Sequence, residues 1–444
     1  MTFFSLQTLP REVSLQTAGR IAKFEHSTEI FNLNVHLPLQ PCPELEESLA
    51  ALRGGELVKI GGFFDGHSFH VQSLEVLYRP TDQLWRECYP GNATDSATDI
   101  PTDRPGLNLG ERLEKKASLY QKMRDFFTAR GFLEVHTEAL TYGPGTDPHL
   151  EPLPTELALS DHQVDEKDRD KRAYLHTSPE FAMKELLARG AGPIFQLTSV
   201  WRNGERTSRH RPEFRLLEWY RPWENVEAII TDVEELVLTI LNDKSPRQVL
   251  GSIARITMQD LVEETCGFDI LASLKEEDLR EAILTRQLLS PRLVDSARGW
   301  DDLFFALTVS HLDPALEKKG AIFVTHWPAP LAVLARRDPS DSRVAERFEL
   351  YIDGLELANG FGELTDPEEQ RRRFEADLEE RRRLGYDEIP INEGFLKALA
   401  MGLPPSAGVA LGMDRLLMLA MGTDSIDDVA AFSGWTGLGG QRKE

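Results

Sequence analysis

Positive charge is concentrated in one short segment of an otherwise acidic chain. Residues 202–211 contain four arginines and one histidine, although the formal net charge of the 444-residue chain is −23. The β-prone runs FQLTSVW and FRLLEWY flank this segment, which predicts two antiparallel strands joined by a basic loop. Because guanidinium groups bind phosphate oxygens bidentately, the loop predicts an anionic ligand such as a triphosphate. Taken alone, the segment is also consistent with a solvated hairpin.

Acidic side chains recur in the segments that would surround this loop. The string TSPE at 177–180 places a carboxylate at the start of a helix, and Glu218 and Tyr220 share one face of the second strand. Glu349 and Glu356 precede the Gly-rich string NGFGE. Carboxylates are uncommon in strands unless they are paired or bind a cation. Each alone is read as a salt-bridge partner, but together they predict a site for phosphates, metal ions and amines.

Strands and helices alternate in the part of the chain that must position these residues. A helix is predicted for 109–130, helical patterns dominate about 226–319, and a strand is predicted for 348–357. A further helix is predicted for 366–385, because Asp366 is a suitable N-cap and a proline follows it. Since the strands around the basic loop are hairpin-connected, the predicted fold class is α+β, with an antiparallel sheet core flanked by helices.

The chain is predicted to contain two domains. Residues 1–88 contain four or five short alternating runs, which predict a small OB-like β-barrel with a hairpin at Asp65-Gly66 and a bulge near Gln72. Residues 89–108 are predicted to be a linker, and 109–444 a catalytic domain with a helical insertion at about 226–319. The barrel is interpreted either as an interface or spacer or as an RNA-binding module.

Composition restricts the classes of function. The excess of 73 acidic over 50 basic residues argues against a non-specific nucleic-acid or membrane binder. Three widely spaced cysteines form neither a disulfide framework nor a zinc motif. No signal peptide or membrane-length apolar run is apparent, so a cytoplasmic location is expected.

Several strings resemble class II aminoacyl-tRNA synthetases. WRNGE and RHRPEF at 201–214 resemble motif 2, GMDR at 412–415 resembles motif 3, and GFLEVHT at 131–137 resembles the dimer-forming motif 1. TSPEFAMK, PEFRLLEWYRP, ELANGFGEL and SAGVALGMDRLLMLAMG are similar to the lysyl group, and nearest to the elongation factor P–(R)-β-lysine ligases. The resemblance covers about 107–433. The β-lysine ligases usually lack an N-terminal barrel, so the first 90 or so residues depart from that pattern.

The resemblance implies ATP and Mg²⁺ as cofactors, lysine or β-lysine as substrate, and a homodimer. It implies catalytic roles for Arg202 and Arg415, and Mg²⁺ binding by Glu349 and Glu356. The ATP-binding residues that it implies are Arg202, Asn203, Gly204, Glu205, Arg209, His210, Arg211, Phe214, Glu356, Leu357, Gly412 and Arg415. The amino-acid-binding residues that it implies are Ser178, Pro179, Glu180, Glu218, Tyr220, Ala358, Asn359, Phe361 and Glu363.

Three positions depart from the usual class II pattern. Gly204 stands where motif 2 usually has an acid, with Glu205 one place later, and Glu138 stands where motif 1 usually has proline. Ala358 stands where lysyl-tRNA synthetases usually have glycine. The β-lysine ligases have alanine there, which favours them.

Three functions are therefore considered. The favoured one is ATP-dependent activation of lysine or (R)-β-lysine as an adenylate, with transfer to a lysine of elongation factor P. The second is a lysyl-tRNA synthetase that charges tRNA(Lys) and whose barrel reads an anticodon. The third is a non-catalytic synthetase-like binding protein, against which the retained Arg202, Glu349, Glu356 and Arg415 argue.

Overall fold

The computed structural model describes residues 15–23, 28–32, 35–52, 56–65, 67–79, 109–156, 172–241, 251–332 and 334–431. The chain forms two compact units, residues 1–118 and 119–444. The predicted linker at 89–108 lies outside the described residues, and the domain boundaries given above stay predictions.

The N-terminal unit contains a closed five-stranded barrel with the order β1-β2-β3-β5-β4. β3 and β5 pair in parallel and the other pairs are antiparallel, which is the arrangement of an OB-fold. The predicted OB-like barrel is therefore confirmed. Its strands are β1 (Leu15–Lys23), β2 (Thr28–Asn32), β3 (Val35–Pro41), β4 (Leu57–Phe64) and β5 (Phe69–Tyr78), with the short helix α1 (Glu46–Ala50) between β3 and β4.

The predicted bulge in β5 is also present. Gly61 pairs with Ser73 and Gly62 pairs with Val71, so Gln72 is the extra residue. Alternation on either side of the bulge directs apolar side chains into the barrel, where Val58, Ile60, Phe69 and Val71 are buried together.

The C-terminal unit is built on an eight-stranded sheet with the order β12-β13-β14-β15-β16-β11-β10-β6. All pairs are antiparallel except β12 with β13 and β10 with β6. This confirms the predicted α+β class. The strands are β6 (Leu133–Glu134), β10 (Ile194–Trp201), β11 (Glu213–Pro222), β12 (Ala254–Thr257), β13 (Ala321–Pro328), β14 (Val344–Ile352), β15 (Leu355–Gly362) and β16 (Ser406–Gly412). A separate small sheet contains β7 (Leu140–Thr141), β8 (Leu153–Thr155) and β9 (Ala173–Leu175).

The predicted single strand at 348–357 is wrong. Asp353 and Gly354 have φ angles of 52° and 71°, and this left-handed pair reverses the chain between β14 and β15. The hairpin pairs Glu349 with Asn359 and so brings the acidic and Gly-rich strings side by side.

Helices flank the large sheet and continue beyond its edge. The predicted helix at 366–385 is confirmed, with the Asp366 side chain accepting hydrogen bonds from the backbone of Glu368 and Glu369. The segment at 226–319 is mostly helical but also supplies the sheet-edge strand β12. The helices are α2 (Leu109–Ala129), α3 (Glu180–Ala188), α4 (Val226–Leu241), α5 (Met258–Cys266), α6 (Glu276–Thr285), α7 (Pro291–Ser296), α8 (Trp300–Leu307), α9 (Asp313–Lys319), α10 (Pro367–Leu384), α11 (Glu393–Gly402) and α12 (Met413–Met421).

The main core lies against one face of the β10–β11 hairpin. Leu217 and Trp219 point into it, and Phe127 of α2 stacks on Phe195 with ring centroids 4.5 Å apart. Because strand side chains alternate, Glu218 and Tyr220 must face the other side of the sheet. Among the described residues, no helix combines the length and apolar character needed to cross a bilayer.

Candidate active site

A cavity of about 540 Å³ lies over the sheet face that carries Glu218 and Tyr220. It brings together most of the residues predicted from the sequence, which come from β11, α3, the basic loop, β15 and the β16–α12 junction. These are Ser178, Glu180, Arg202, Gly204, Glu205, Arg209, His210, Arg211, Phe214, Glu218, Tyr220, Glu356, Leu357, Asn359, Phe361, Glu363, Gly412 and Arg415. Four predicted residues do not line the cavity, namely Pro179, Asn203, Glu349 and Ala358. Each of them is next to a lining residue, either in the sequence or, for Glu349, on the neighbouring strand.

One end of the cavity is cationic. Arg415, in the first turn of α12, donates to the Glu356 carbonyl at 2.7 Å, and its second terminal nitrogen lies 2.6 Å from Nε2 of His210. The other ring nitrogen of His210 lies 2.8 Å from Oγ1 of Thr207. Burial lowers the pKa of His210, and the nearby Arg415 lowers it further. The imidazole is therefore neutral near pH 7, and the guanidinium groups carry the positive charge.

Arg202 contributes another guanidinium group to this end of the cavity. Its backbone nitrogen donates to the Pro212 carbonyl at 2.9 Å, which closes the base of the basic loop independently of the side chain. The guanidinium lies over the Phe214 ring, 5.1 Å from its centroid, and the buried Nε has no hydrogen-bond partner. A buried donor without a partner is costly, so the atom is suited to a ligand.

The backbone conformation at position 204 explains why glycine stands where motif 2 usually has an acid. Gly204 has a φ angle of 78°, in the left-handed region that favours glycine, and it lies in the turn that follows Arg202. An acid would be strained there. Glu205, the next residue, lines the cavity, so the carboxylate remains in the site.

The opposite end is built around buried carboxylates. Glu218 is 1% exposed and accepts hydrogen bonds from the Ser178 hydroxyl at 2.6 Å and the Tyr220 hydroxyl at 3.1 Å. Burial raises its pKa to about 8, and the charge of Glu180 acts in the same direction. A carboxylate held in this way is stabilised by a cation that enters the cavity.

Glu363 and Asn359 leave acceptor atoms unsatisfied at the same end. Glu363 is 1% exposed, and its Oε1 has no hydrogen-bond partner; Oδ1 of Asn359 is buried and likewise unpaired. Gly408 lies beneath Tyr220 and Glu363, and a Cβ at that position would come within 2.2 Å of the Tyr220 ring and 2.6 Å of Glu363 Oε1. Only glycine lets these side chains lie this close to the sheet.

A second acidic pair is formed by Glu349 and Glu356. Glu349 is bound at 2.5 Å by both Arg347 Nη2 and the Tyr351 hydroxyl, whereas 42% of the Glu356 side chain is exposed. Burial raises the pKa of Glu349, Arg347 opposes this, and the charge of Glu356 adds to it. Two mutually repelling carboxylates fit a divalent cation whose other ligands are phosphates and water. The described residues contain no protein-only cluster of three or more possible metal ligands.

The structure adds residues that the sequence analysis missed. Lys184 is buried and ion-paired with Glu180 and Glu363, Arg347 binds Glu349, and Asp414 accepts from the Arg215 backbone at 2.8 Å. Residues 145–147 also line the cavity. The spacing of Glu180 and Lys184, four apart on a helix, was the one available signal for the first of these.

Comparison with known proteins gives an independent result. Residues 105–436 match the family tRNA synthetases class II (D, K and N). The chain belongs to this family. It is 42% identical over 330 residues to elongation factor P–(R)-β-lysine ligase of Haemophilus influenzae strain Rd, covering 74% of this chain and 97% of the relative. It is 41% identical over 336 residues to the Salmonella gallinarum ligase of the same name, covering 76% of this chain and 98% of that relative.

Membership of the class II family confirms the predicted resemblance, the fold class and the assignment as a ligase. The family match begins at residue 105, so the N-terminal barrel lies outside it. The two alignments also leave about a quarter of this class II chain unmatched, although they cover nearly all of each relative.

Proposed function

We propose that this class II protein uses ATP to activate lysine or (R)-β-lysine as an adenylate and transfers it to a lysine of elongation factor P. The observation that carries the proposal is the polarity of one cavity. The Arg202 guanidinium lies over Phe214 near the start of β11, whereas Glu218 bonds Tyr220 further along β11 and Glu180 and Glu363 share Lys184. A diamino acid and a triphosphate complement these two ends.

In the first step, a carboxylate oxygen of the amino acid attacks the α-phosphorus of ATP and pyrophosphate leaves. The carboxylate is already ionised at pH 7, so this step needs no general base. It needs alignment and positive charge around the phosphorus. Arg202 would bind the α-phosphate, Arg415 the γ-phosphate, and Phe214 the adenine ring.

Mg²⁺ would be held by Glu349 and Glu356 at the edge of the cavity. When bound, it would neutralise negative charge on the phosphates. Arg347, which lines the cavity, holds Glu349 in place, and Glu356 is the more exposed acid of the pair.

In the second step, a neutral amine of the acceptor attacks the carbonyl carbon of the adenylate, an amide bond forms and AMP leaves. A lysine ε-ammonium ordinarily has a pKa of about 10.4, so the acceptor amine must lose a proton when it binds. The names of the two relatives support elongation factor P as the acceptor.

A second candidate function is charging of tRNA(Lys). The closed OB-like barrel favours it, because OB-folds bind single-stranded nucleic acid. The net charge of −23 and Ala358 favour the protein acceptor instead.

The test begins with pyrophosphate exchange by the purified chain in ATP and Mg²⁺, with lysine or (R)-β-lysine. Exchange with at least one of them is expected, and exchange with neither would contradict both functions. The charged enzyme is then offered elongation factor P and tRNA(Lys) together. Labelled amino acid on elongation factor P supports the proposal, whereas label on tRNA alone supports the second candidate.

Amino-acid binding is expected to weaken as the pH falls below about 8. Burial raises the pKa of Glu218 to about 8, and it also raises the pKa of Glu363, which Lys184 opposes. Because ammonium groups bind the ionised acids, protons held by the empty pocket must leave on binding. Affinity should rise towards pH 8 and fall about tenfold per pH unit for each acid below its pKa. Calorimetry in buffers of different ionisation enthalpy measures this release, and no release at pH 7 would contradict it.

We also propose a cytoplasmic homodimer formed through the segment that resembles motif 1. Leu133, Leu140 and Tyr142 of this region are 63%, 47% and 45% exposed, and β6 is an edge strand of the large sheet. Apolar side chains on an edge strand suit a partner. Sedimentation should give about twice the monomer mass of 50.1 kDa, and Leu133→Asp should shift the equilibrium to monomer. A monomeric wild-type chain would exclude the dimer.

A further inference from the structure

Lys184 is a buried cation beside the amino-acid end of the cavity, where it is ion-paired with two acids that line the cavity, Glu180 and Glu363. It projects from α3 and is 1% exposed, and its ammonium lies between the carboxylates of Glu180 and Glu363, 2.5 Å from the latter. The Phe395 ring of α11 closes this side, 5.9 Å from the ammonium. Removing an ammonium from water is costly unless carboxylates compensate, so this pairing persists when the cavity is empty.

The charges around Lys184 do not balance. Glu180 comes from its own helix, Glu218 from β11 and Glu363 from the segment after β15. The Tyr220 hydroxyl is neutral, because burial raises its pKa well above the usual value. Arg336 acts on Glu363 from outside, where it is paired with Glu346. Three carboxyl groups thus face one internal ammonium, and all three can be ionised together only when further positive charge enters the pocket.

We infer that Lys184 is a specificity-determining residue: its fixed ammonium neutralises one of the three carboxylates, so that the pocket is complemented by a substrate with two ammonium groups. This rests on the proposed function. Lys184 also occupies the gap between Glu180 and Glu363, which leaves the free Oε1 of Glu363 and the hydrogen-bonded Glu218 as the acids available to the substrate. An amino acid with one ammonium group leaves one of them unpaired.

Three substitutions at position 184 separate the effect of charge from that of packing. Lys184→Met keeps the volume and removes the charge, Lys184→Arg keeps the charge, and Lys184→Ala opens a space for a small ammonium ion. Lys319→Met is the control, because Lys319 is ion-paired at 2.8 Å with Glu264, which, unlike Glu180 and Glu363, does not line the cavity.

Lys184→Met should raise the KM for lysine about tenfold or more in pyrophosphate exchange and leave the KM for ATP unchanged. Its pH profile for lysine binding should move to higher pH, since the acids lose their internal counter-charge. Lys184→Arg should keep a lower KM for lysine than Lys184→Met, because it retains a positive charge between Glu180 and Glu363. Added methylammonium should restore lysine binding to Lys184→Ala and have no effect on wild type or Lys319→Met.

Unchanged lysine binding and an unchanged pH profile in Lys184→Met would overturn the inference. Equal losses in Lys184→Met and Lys184→Arg, with no rescue of Lys184→Ala, would also overturn it, because packing would then explain the residue. If Lys184→Met does not fold, lysine binding by Lys184→Arg and the methylammonium rescue of Lys184→Ala decide between charge and packing. If the wild-type chain shows no pyrophosphate exchange, both the proposed function and this role of Lys184 are contradicted. If the wild-type chain exchanges normally and the Lys184 variants bind lysine as it does, only the role of Lys184 is contradicted.

Discussion

Replacing Arg202 with alanine is expected to lower kcat/KM for pyrophosphate exchange by about 10²–10³-fold, the loss typical of removing one preorganised donor from a developing negative charge. The side chain lines the cavity, and its buried Nε has no internal partner. Its loss therefore breaks no hydrogen bond of Nε within the protein. The backbone bond from Arg202 to Pro212 remains and should keep the loop closed.

The control for this substitution is Arg280→Ala. Arg280 is similarly half-buried and pairs with Glu276 on α6, away from the cavity. Exchange kinetics and thermal unfolding are measured for both variants. Loss of exchange with an unchanged melting temperature in Arg202→Ala is the expected pattern. Wild-type exchange in that variant would mean that the motif 2 assignment is wrong.

Replacing Arg415 with alanine is expected to lower kcat/KM by about 10²-fold or more, mainly through a higher KM for ATP. Unlike Arg202, Arg415 has internal partners, because it bonds the Glu356 carbonyl and contacts His210. Its removal therefore loosens the basic loop as well as the phosphate end. Arg415→Lys should recover only part of the activity, since lysine cannot form both contacts.

A second observable distinguishes Arg415 from a residue with a purely structural role. Burial lowers the pKa of His210, and the Arg415 charge lowers it further, so the pKa of His210 should rise in Arg415→Ala. Titration of the imidazole by NMR measures this change. Arg221→Ala is the control, because Arg221 is 21% exposed against 19% for Arg415 and pairs with Asp232 outside the cavity. An unchanged His210 pKa would contradict the contact.

Local patterns were enough to predict much of this fold. Alternation in β11 placed Glu218 and Tyr220 on one face, and they are hydrogen-bonded there. An interruption in the alternation of apolar and polar residues predicted the bulge, which lies at Gln72. Both predictions succeeded because successive side chains of a strand point to opposite faces, so the position of a residue along the strand determines its face.

Contacts between distant segments were harder to predict. Lys184 and Glu363 are far apart in the sequence and form a buried ion pair, yet a lysine on a helix ordinarily indicates a solvated face. The turn at Asp353 and Gly354 was missed, although it carries the same Asp-Gly signal that predicted the hairpin at Asp65-Gly66. That error hid the pairing of Glu349 with Asn359, which only the completed sheet determines.

The division of β11 between core and cavity has a practical consequence for handling this protein. A strand paired one position out of place would turn Trp219 into the cavity and Glu218 into the apolar layer. Such a chain would lose its packing and its amino-acid site together. Pyrophosphate exchange per mole of refolded protein should therefore report the recovered native fraction, because a mispaired β11 should contribute no activity.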